Sequence, residues 1–311
     1  MKRAGKFWRF GVLAMLLAGT ALAQDPEAAP ANCKAQVVNA LAKLGPAFVG
    51  KTRKVAAKQP GSIEAAIWGY APPKYHDVNE GTLPSPKTGS PKCASEMALV
   101  SNMFCIDKWE GTIALRAADG TETPWSPYQS PPSDTSTTKV VAKSASGVVP
   151  QGYISARQAE TACKNAGKRL CQPVEWRAAC GGSQGTAFPY GPTRVAGKCH
   201  DSGKSPMVAF HSATMNRGWG QEELNDPRNN QLEGGLAKTG AYADCVTDQG
   251  VFDMVGNLSE WTADPNGTFQ GGLWLDTSQH GEGCAYRTIS HEYGYHDYST
   301  GFRCCADAAG E

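Results

Sequence analysis

The sequence predicts an α+β domain with short strands, two early helices and much irregular coil, stapled by disulfides. Three observations carry this. Eleven cysteines follow what reads as an export signal, and that combination reads as a disulfide framework. Thirty-five glycines and twenty prolines predict many turns and loops. Helical periodicity is confined to a few short segments, and equally short extended runs lie between them.

Taken in order, the chain opens with a basic stretch, Met1-Lys-Arg-Ala-Gly-Lys6 and Arg9, then an apolar run from Phe10 to Leu22 closing on Ala21-Leu22-Ala23. Residues 1–23 therefore read as a cleaved signal peptide. The run is shorter than the ~18 residues a membrane span needs, so no transmembrane anchor is expected after cleavage. The mature chain is expected to be exported, to a periplasmic or extracellular location. Residues 24–92 read as peripheral, with one helix in Asn32 to Val49 and a Pro/Gly/Ser-rich linker from Gln59 to Pro91. The domain proper is expected over residues 93–307.

Within it, Met97-Ala-Leu-Val100 and Phe104-Cys-Ile-Asp107 read as strands around a Ser101-Asn102 turn, and Trp109 to Ile113 as a third extended piece. Residues 119–147 are Ser/Thr/Pro-rich and read as a surface excursion. Ser155-Ala-Arg-Gln158 fits a capping box that starts a helix ending at Gly167. Pro173 suits the first turn of a second helix, which stops at Gly181-Gly182. Residues 183–249 lack periodicity and read as long loops with short strands.

A net charge of +1 with scattered basic residues gives no footprint for nucleic acid. No CxxC pair or cysteine–histidine cluster has zinc-ligand spacing. No Gly-x-Ser-x-Gly, P-loop or dinucleotide fingerprint is present.

Several segments together resemble one family. These are Phe104-Cys-Ile-Asp-Lys-Trp-Glu110, Gly167-Lys-Arg-Leu-Cys-Gln-Pro-Val-Glu-Trp176, Ala187-Phe-Pro-Tyr-Gly191, Gly250 to Thr262, Gly271-Gly-Leu-Trp274, Cys284-Ala-Tyr-Arg287 and Gly301-Phe-Arg-Cys-Cys305. Their order is similar to that of the sulfatase-modifying-factor family, that of the formylglycine-generating enzyme, built on a C-type-lectin-like scaffold. The resemblance implies that Cys163 pairs with Cys304 and Cys180 with Cys284. Local order adds Cys93 with Cys105, Cys199 with Cys245 and Cys171 with Cys305, leaving Cys33 unpaired.

The resemblance also locates the family's chemistry, oxidation of a substrate cysteine through two cysteines that hold copper(I). The first follows the Gly-Gly strand, where this chain has Asp276. The second falls around Gln279 to Gly281, without sulfur. Thiolates select copper(I), so copper is not expected here and the oxidase activity is expected to be absent. Calcium is implied at Val255-Gly-Asn-Leu-Ser-Glu-Trp261 through Asn257, the Leu258 carbonyl and Glu260, oxygen donors that suit a hard cation. The rival reading is that Asn257 shapes a turn and Glu260 makes a buried ion pair. A second calcium site has no clear counterpart, with Asp201 and Asp226 as candidates.

His280, His291 and His296 lie among Tyr293, Tyr295, Asp297 and Tyr298, either a metal site or, the favoured reading, an exposed polar-aromatic loop. The expected function is an exported binding or accessory protein for a protein, glycan or peptide ligand, since tyrosine-rich surfaces suit binding. The alternative is a metal-dependent oxidoreductase or maturation enzyme of the same family in the cell envelope. For that reading Asp276, His280, His291 and His296 are the catalytic suspects. A third reading is an envelope structural component docked through residues 24–92.

Overall fold

The first hairpin forms where the sequence places it. β1 (Met97–Val100) and β2 (Phe104–Asp107) pair antiparallel. Ser101 and Asn102 both take left-handed backbone, with φ of 46° and 58°, and the Met103 N–H closes the turn on the Val100 carbonyl at 2.8 Å. Positive φ at both central residues matches the right-handed twist of the flanking strands. The computed structural model describes residues 77–309; the expected signal peptide, the helix in Asn32 to Val49 and Cys33 lie outside the described residues.

β3 (Gly111–Ala117) continues from the hairpin and is flanked by β4 (Glu122–Pro124) and β5 (Thr138–Ser144). The stretch 119–147 is therefore more than the expected surface excursion. Val140, Val141 and Ala142 are buried at the centre of β5. Three apolar residues inside a Ser/Thr/Lys-rich stretch are too few to reveal a strand by alternation, but they suffice to support a helix.

That helix is α1 (Ala156–Asn165), which packs against β5. The Gln158 N–H donates to Ser155 Oγ at 3.3 Å and the Ser155 N–H donates to Gln158 Oε1 at 2.9 Å, the reciprocal bonds of a capping box. Ala156, Ala159, Ala162 and Cys163 are buried, a small-residue face that lets the helix approach closely. After β6 (Arg169–Leu170), α2 (Pro173–Gly181) starts on Pro173 and buries Trp176, Ala179 and Cys180.

Residues 183–249 hold two short helices, α3 (Pro206–His211) and α4 (Gln221–Leu224), where short strands were expected; the described residues there contribute only isolated bridges. Ser205 caps α3 by accepting from the Val208 N–H, and Pro206 opens it. Helices of six and four residues show too little periodicity to be read from sequence.

The last strands are β7 (Ser259–Trp261), β8 (Phe269–Gln270), β9 (Arg287–Thr288), β10 (Thr300–Phe302) and β11 (Cys304–Asp307). They complete two four-stranded sheets, β1-β2-β11-β6 and β10-β7-β8-β9, with β10 parallel to β7. A third sheet is ordered β4-β3-β5. The chain crosses from one sheet to the next at Arg303, between β10 and β11. Alternation in this segment sends Phe302 and Cys304 into the core around Trp261, and Cys305 into the core around Trp176.

Five disulfides close within the described residues, in the pairings set out above: Cys93–Cys105, Cys163–Cys304, Cys171–Cys305, Cys180–Cys284 and Cys199–Cys245. Those from α1 and α2 span 141 and 104 residues, so each contributes on the order of 2–5 kcal/mol. Such a set points to an oxidising compartment. Among the described residues no helix is long and apolar enough to cross a membrane.

Candidate functional site

Two loops carry the residues singled out by sequence. The first is Val255 to Trp261, leading into β7. Gly256 has φ of 83°, and a Cβ there would lie 2.1 Å from the His200 carbonyl oxygen, so no other residue fits. Asn257 follows in the left-handed region with φ of 56°. Its Oδ1 accepts from the Ala237 N–H at 2.9 Å, and its Nδ2 donates to Glu110 at 2.6 Å. The Leu258 N–H donates to the other Glu110 oxygen at 3.1 Å.

Glu260 lies in a fully enclosed ion pair. Arg303 donates to both of its oxygens at 2.6 Å, and Trp176 Nε1 adds a third bond at 2.7 Å. Arg303 spends its remaining donors on the carbonyls of Asp107 and Phe252. The side-chain oxygens of Asn257 and Glu260 are thus all committed to protein donors, so neither side chain fits a calcium ion in this arrangement. Asp201 and Asp226 are committed in the same way, to Arg194 and Arg228.

The electrostatics around Arg303 are crowded. Burial, followed by the charges of Asp253 and Glu260, pushes the Glu110 carboxyl well above its ordinary value. Burial opposes the charge on Arg303, but Glu260, Glu110 and Asp253 outweigh it and raise its pKa. Glu110 has no role legible in the sequence, because its bonding partners Asn257 and Leu258 lie 147 and 148 residues away.

The second loop follows Trp274. Asp276 Oδ1 accepts from the Ser278 and Gln279 N–H groups at 2.9 and 3.0 Å, and Oδ2 accepts from the Tyr286 hydroxyl at 2.9 Å. Tyr286 is buried; burial and then Asp276 drive its pKa up. The exposed His280 stands edge-on to the Tyr286 ring at 5.6 Å, and its carbonyl accepts from the Arg287 N–H. Asp276 and His280 therefore meet around Tyr286, a residue the sequence offered only as part of a strand motif.

The other two histidines are placed differently. His291 sits half-buried between Phe269 and Tyr295, each ring centroid 4.8 Å away, and burial pulls its pKa down. His296 Nδ1 is hydrogen-bonded to Asn225 at 2.8 Å, and burial lowers its pKa too. Among the described residues no three His, Cys, Asp or Glu side chains converge to hold a metal ion.

The donor set at the copper position does not fit copper(I). Asp276 is an oxygen donor tied into its own turn, and Cys284, the nearest sulfur in sequence, is bonded to Cys180. Every cysteine among the described residues is in a disulfide. An open cavity of about 480 Å³ lies at the far end of α2, lined by Gln184, Tyr190, Lys198, Asp244 and Asp248; of the quoted family motifs only Ala187 to Gly191 reaches it, and none of the candidate metal or catalytic residues lines it.

No curated protein matches this chain. Among solved structures it is similar to the major tropism determinant I1 variant, with 13% identity over 70% of this chain and a TM-score of 0.40. The match spans only 54% of that determinant's length. It is also similar to PvdO from Pseudomonas aeruginosa, with 14% identity, 66% of this chain, 80% of PvdO and a TM-score of 0.40. CarF is similar at 14% identity, 76% of this chain, 96% of CarF and a TM-score of 0.36. Likenesses this distant carry no argument about activity. The family comparison does carry weight: a sulfatase-modifying factor enzyme 1-like domain matches residues 81–308, and the chain belongs to that family.

Proposed function

We propose that this is an exported binding or accessory protein that uses the family's scaffold without its copper-dependent oxidase chemistry. The observation that carries the reading is Asp276, bonded to Tyr286 where the first copper-binding cysteine is implied, with Cys284 held by Cys180. The signal-like residues 1–23 and the disulfide set support export. Half-buried Tyr293 and Tyr295 beside His291 give a surface of rigid rings with polar edges, suited to a protein, glycan or peptide ligand.

Anaerobic copper(I) titration tests this. The expected result is no stoichiometric site able to compete with a chromophoric copper(I) chelator. A one-to-one, cysteine-ligated copper(I) complex would overturn the reading. A second reading, a metal-dependent enzyme or maturation factor of the cell envelope, draws on His280 beside the Tyr286–Asp276 bond. Stoichiometric iron in the purified protein would favour it.

A further inference from the structure

One half-buried ionic cluster lies at the edge of the second loop. Arg177 on α2 and Arg287 on β9 each donate through Nη1 to Glu80, at 2.6 Å, and each takes a different carboxylate oxygen. One carboxylate thus fills the space between two guanidinium groups, the arrangement in which arginine pairs recognise carboxylates.

The backbone segments that carry the two arginines are tied together. Arg177 lies one turn before Cys180 on α2, Arg287 follows Cys284 by three residues, and the Cys180–Cys284 disulfide ties the two segments together. Gln270 on β8 adds an acceptor for Arg177 at 3.4 Å, and β8 pairs Gln270 with Arg287. Arg287 also adjoins Tyr286, so the pair borders the loop of Asp276 and His280.

The occupant reaches the pair from a distant segment: Glu80 lies 97 residues before Arg177 and 207 before Arg287. The backbone of this segment has its own anchors: the Val174 N–H donates to the Glu80 carbonyl at 3.0 Å, and the Thr82 N–H donates to Gln172 Oε1 at 2.8 Å. Rotation of the Glu80 side chain alone would open the clamp. All three side chains are partly open to solvent, at 30%, 40% and 38%. Ion pairs this open to solvent are screened by salt and add modestly to stability, unlike the enclosed pair of Glu260 and Arg303, whose disruption is costly.

We propose that Arg177 and Arg287 form a binding site for the carboxylates of an acidic peptide, and that Glu80 occupies it until such a peptide displaces it. The proposal rests on the binding reading above and supplies its ligand class. Two guanidinium groups on a solvated face favour a flexible carboxylate ligand that replaces the one already there. Ionic strength weakens the interaction, because the site is exposed.

Fluorescence anisotropy with a labelled penta-glutamate peptide tests this on the full chain at low salt. The Glu80→Ala variant is expected to bind about tenfold more tightly than the unchanged protein, within the usual range for coupled sites. Glu80→Gln, which keeps side-chain volume and segment anchors, is expected to shift the same way. Adding Arg177→Ala and Arg287→Ala to Glu80→Ala is expected to abolish the gain. Equal affinity for the unchanged protein and both Glu80 variants would overturn the proposal, as would undiminished binding by the triple variant. The copper titration reads the binder assignment separately, so failure of either is distinguishable from failure of the other.

Discussion

Arg303 carries its charge into the enclosed crossing between two sheets, where Glu110, Asp253 and Glu260 surround it. One cation facing three acids leaves carboxylates under pressure to stay neutral. Asp253 shows this: burial, with a further push from Glu260, raises its pKa from 3.8 to about 6, against the Gly240 N–H and Arg303. A raised folded-state value means the folded chain binds the proton more tightly than the unfolded one. Stability from this group is therefore present at low pH and lost as pH rises from about 4 through about 6. Asp253→Asn removes that loss while keeping an oxygen for the Gly240 N–H, which Asp253 Oδ2 accepts at 2.6 Å. Asparagine also tolerates the φ of 58° at this position. Melting curves should show the variant gaining on the unchanged protein as pH rises from 5 to 8; a constant difference would contradict the assignment. Asp253 and Glu110 were not legible as a pair, because the loops that carry them are far apart in sequence.

Among the elements, those with local signals were legible and those stabilised by distant partners were not. α1 and α2 announce themselves through the Ser155–Gln158 capping box and Pro173, bonds made within four residues. β5 needed the tertiary fact that α1 covers Val140 and Ala142. The loop from Val255 to Trp261 is the informative intermediate case. Its residue pattern fits either a cation or a turn, and only the positions of Glu110, Ala237, Trp176 and Arg303 decide between them. Protein donors occupy the side-chain oxygens of Asn257 and Glu260, so excess EDTA should leave the melting temperature unchanged to within about a degree. Substituting Glu260 by Gln should instead cost on the order of 3–5 kcal/mol, since Arg303 is left buried without its charge partner. A chelator-induced fall of several degrees, restored by calcium, would return the metal to this loop.

For the whole molecule, the fold was legible because the cysteines and glycine-bounded strand motifs follow the order of the family they resemble, and the implied pairings close. The α+β, C-type-lectin-like, disulfide-stapled architecture follows from family membership over residues 81–308 and from the pairings observed. The candidate site was legible only in position. Sequence marked Asp276 as the replacement for a cysteine, but not Tyr286 as its partner or His280 against that ring. The Glu80 clamp was hidden for the same reason, since it joins three segments that no local pattern connects. At the position implied for the first copper-binding cysteine, Asp276 lies in a hydrogen-bonded turn, and Cys284 further on is held in a disulfide. On the proposed function this turn performs no thiol oxidation. The most direct measurement incubates the full chain with copper(I), oxygen and a peptide carrying a sulfatase-type cysteine, and follows the peptide by mass spectrometry. The cysteine should persist unchanged over many hours; catalytic conversion to the aldehyde would contradict the account.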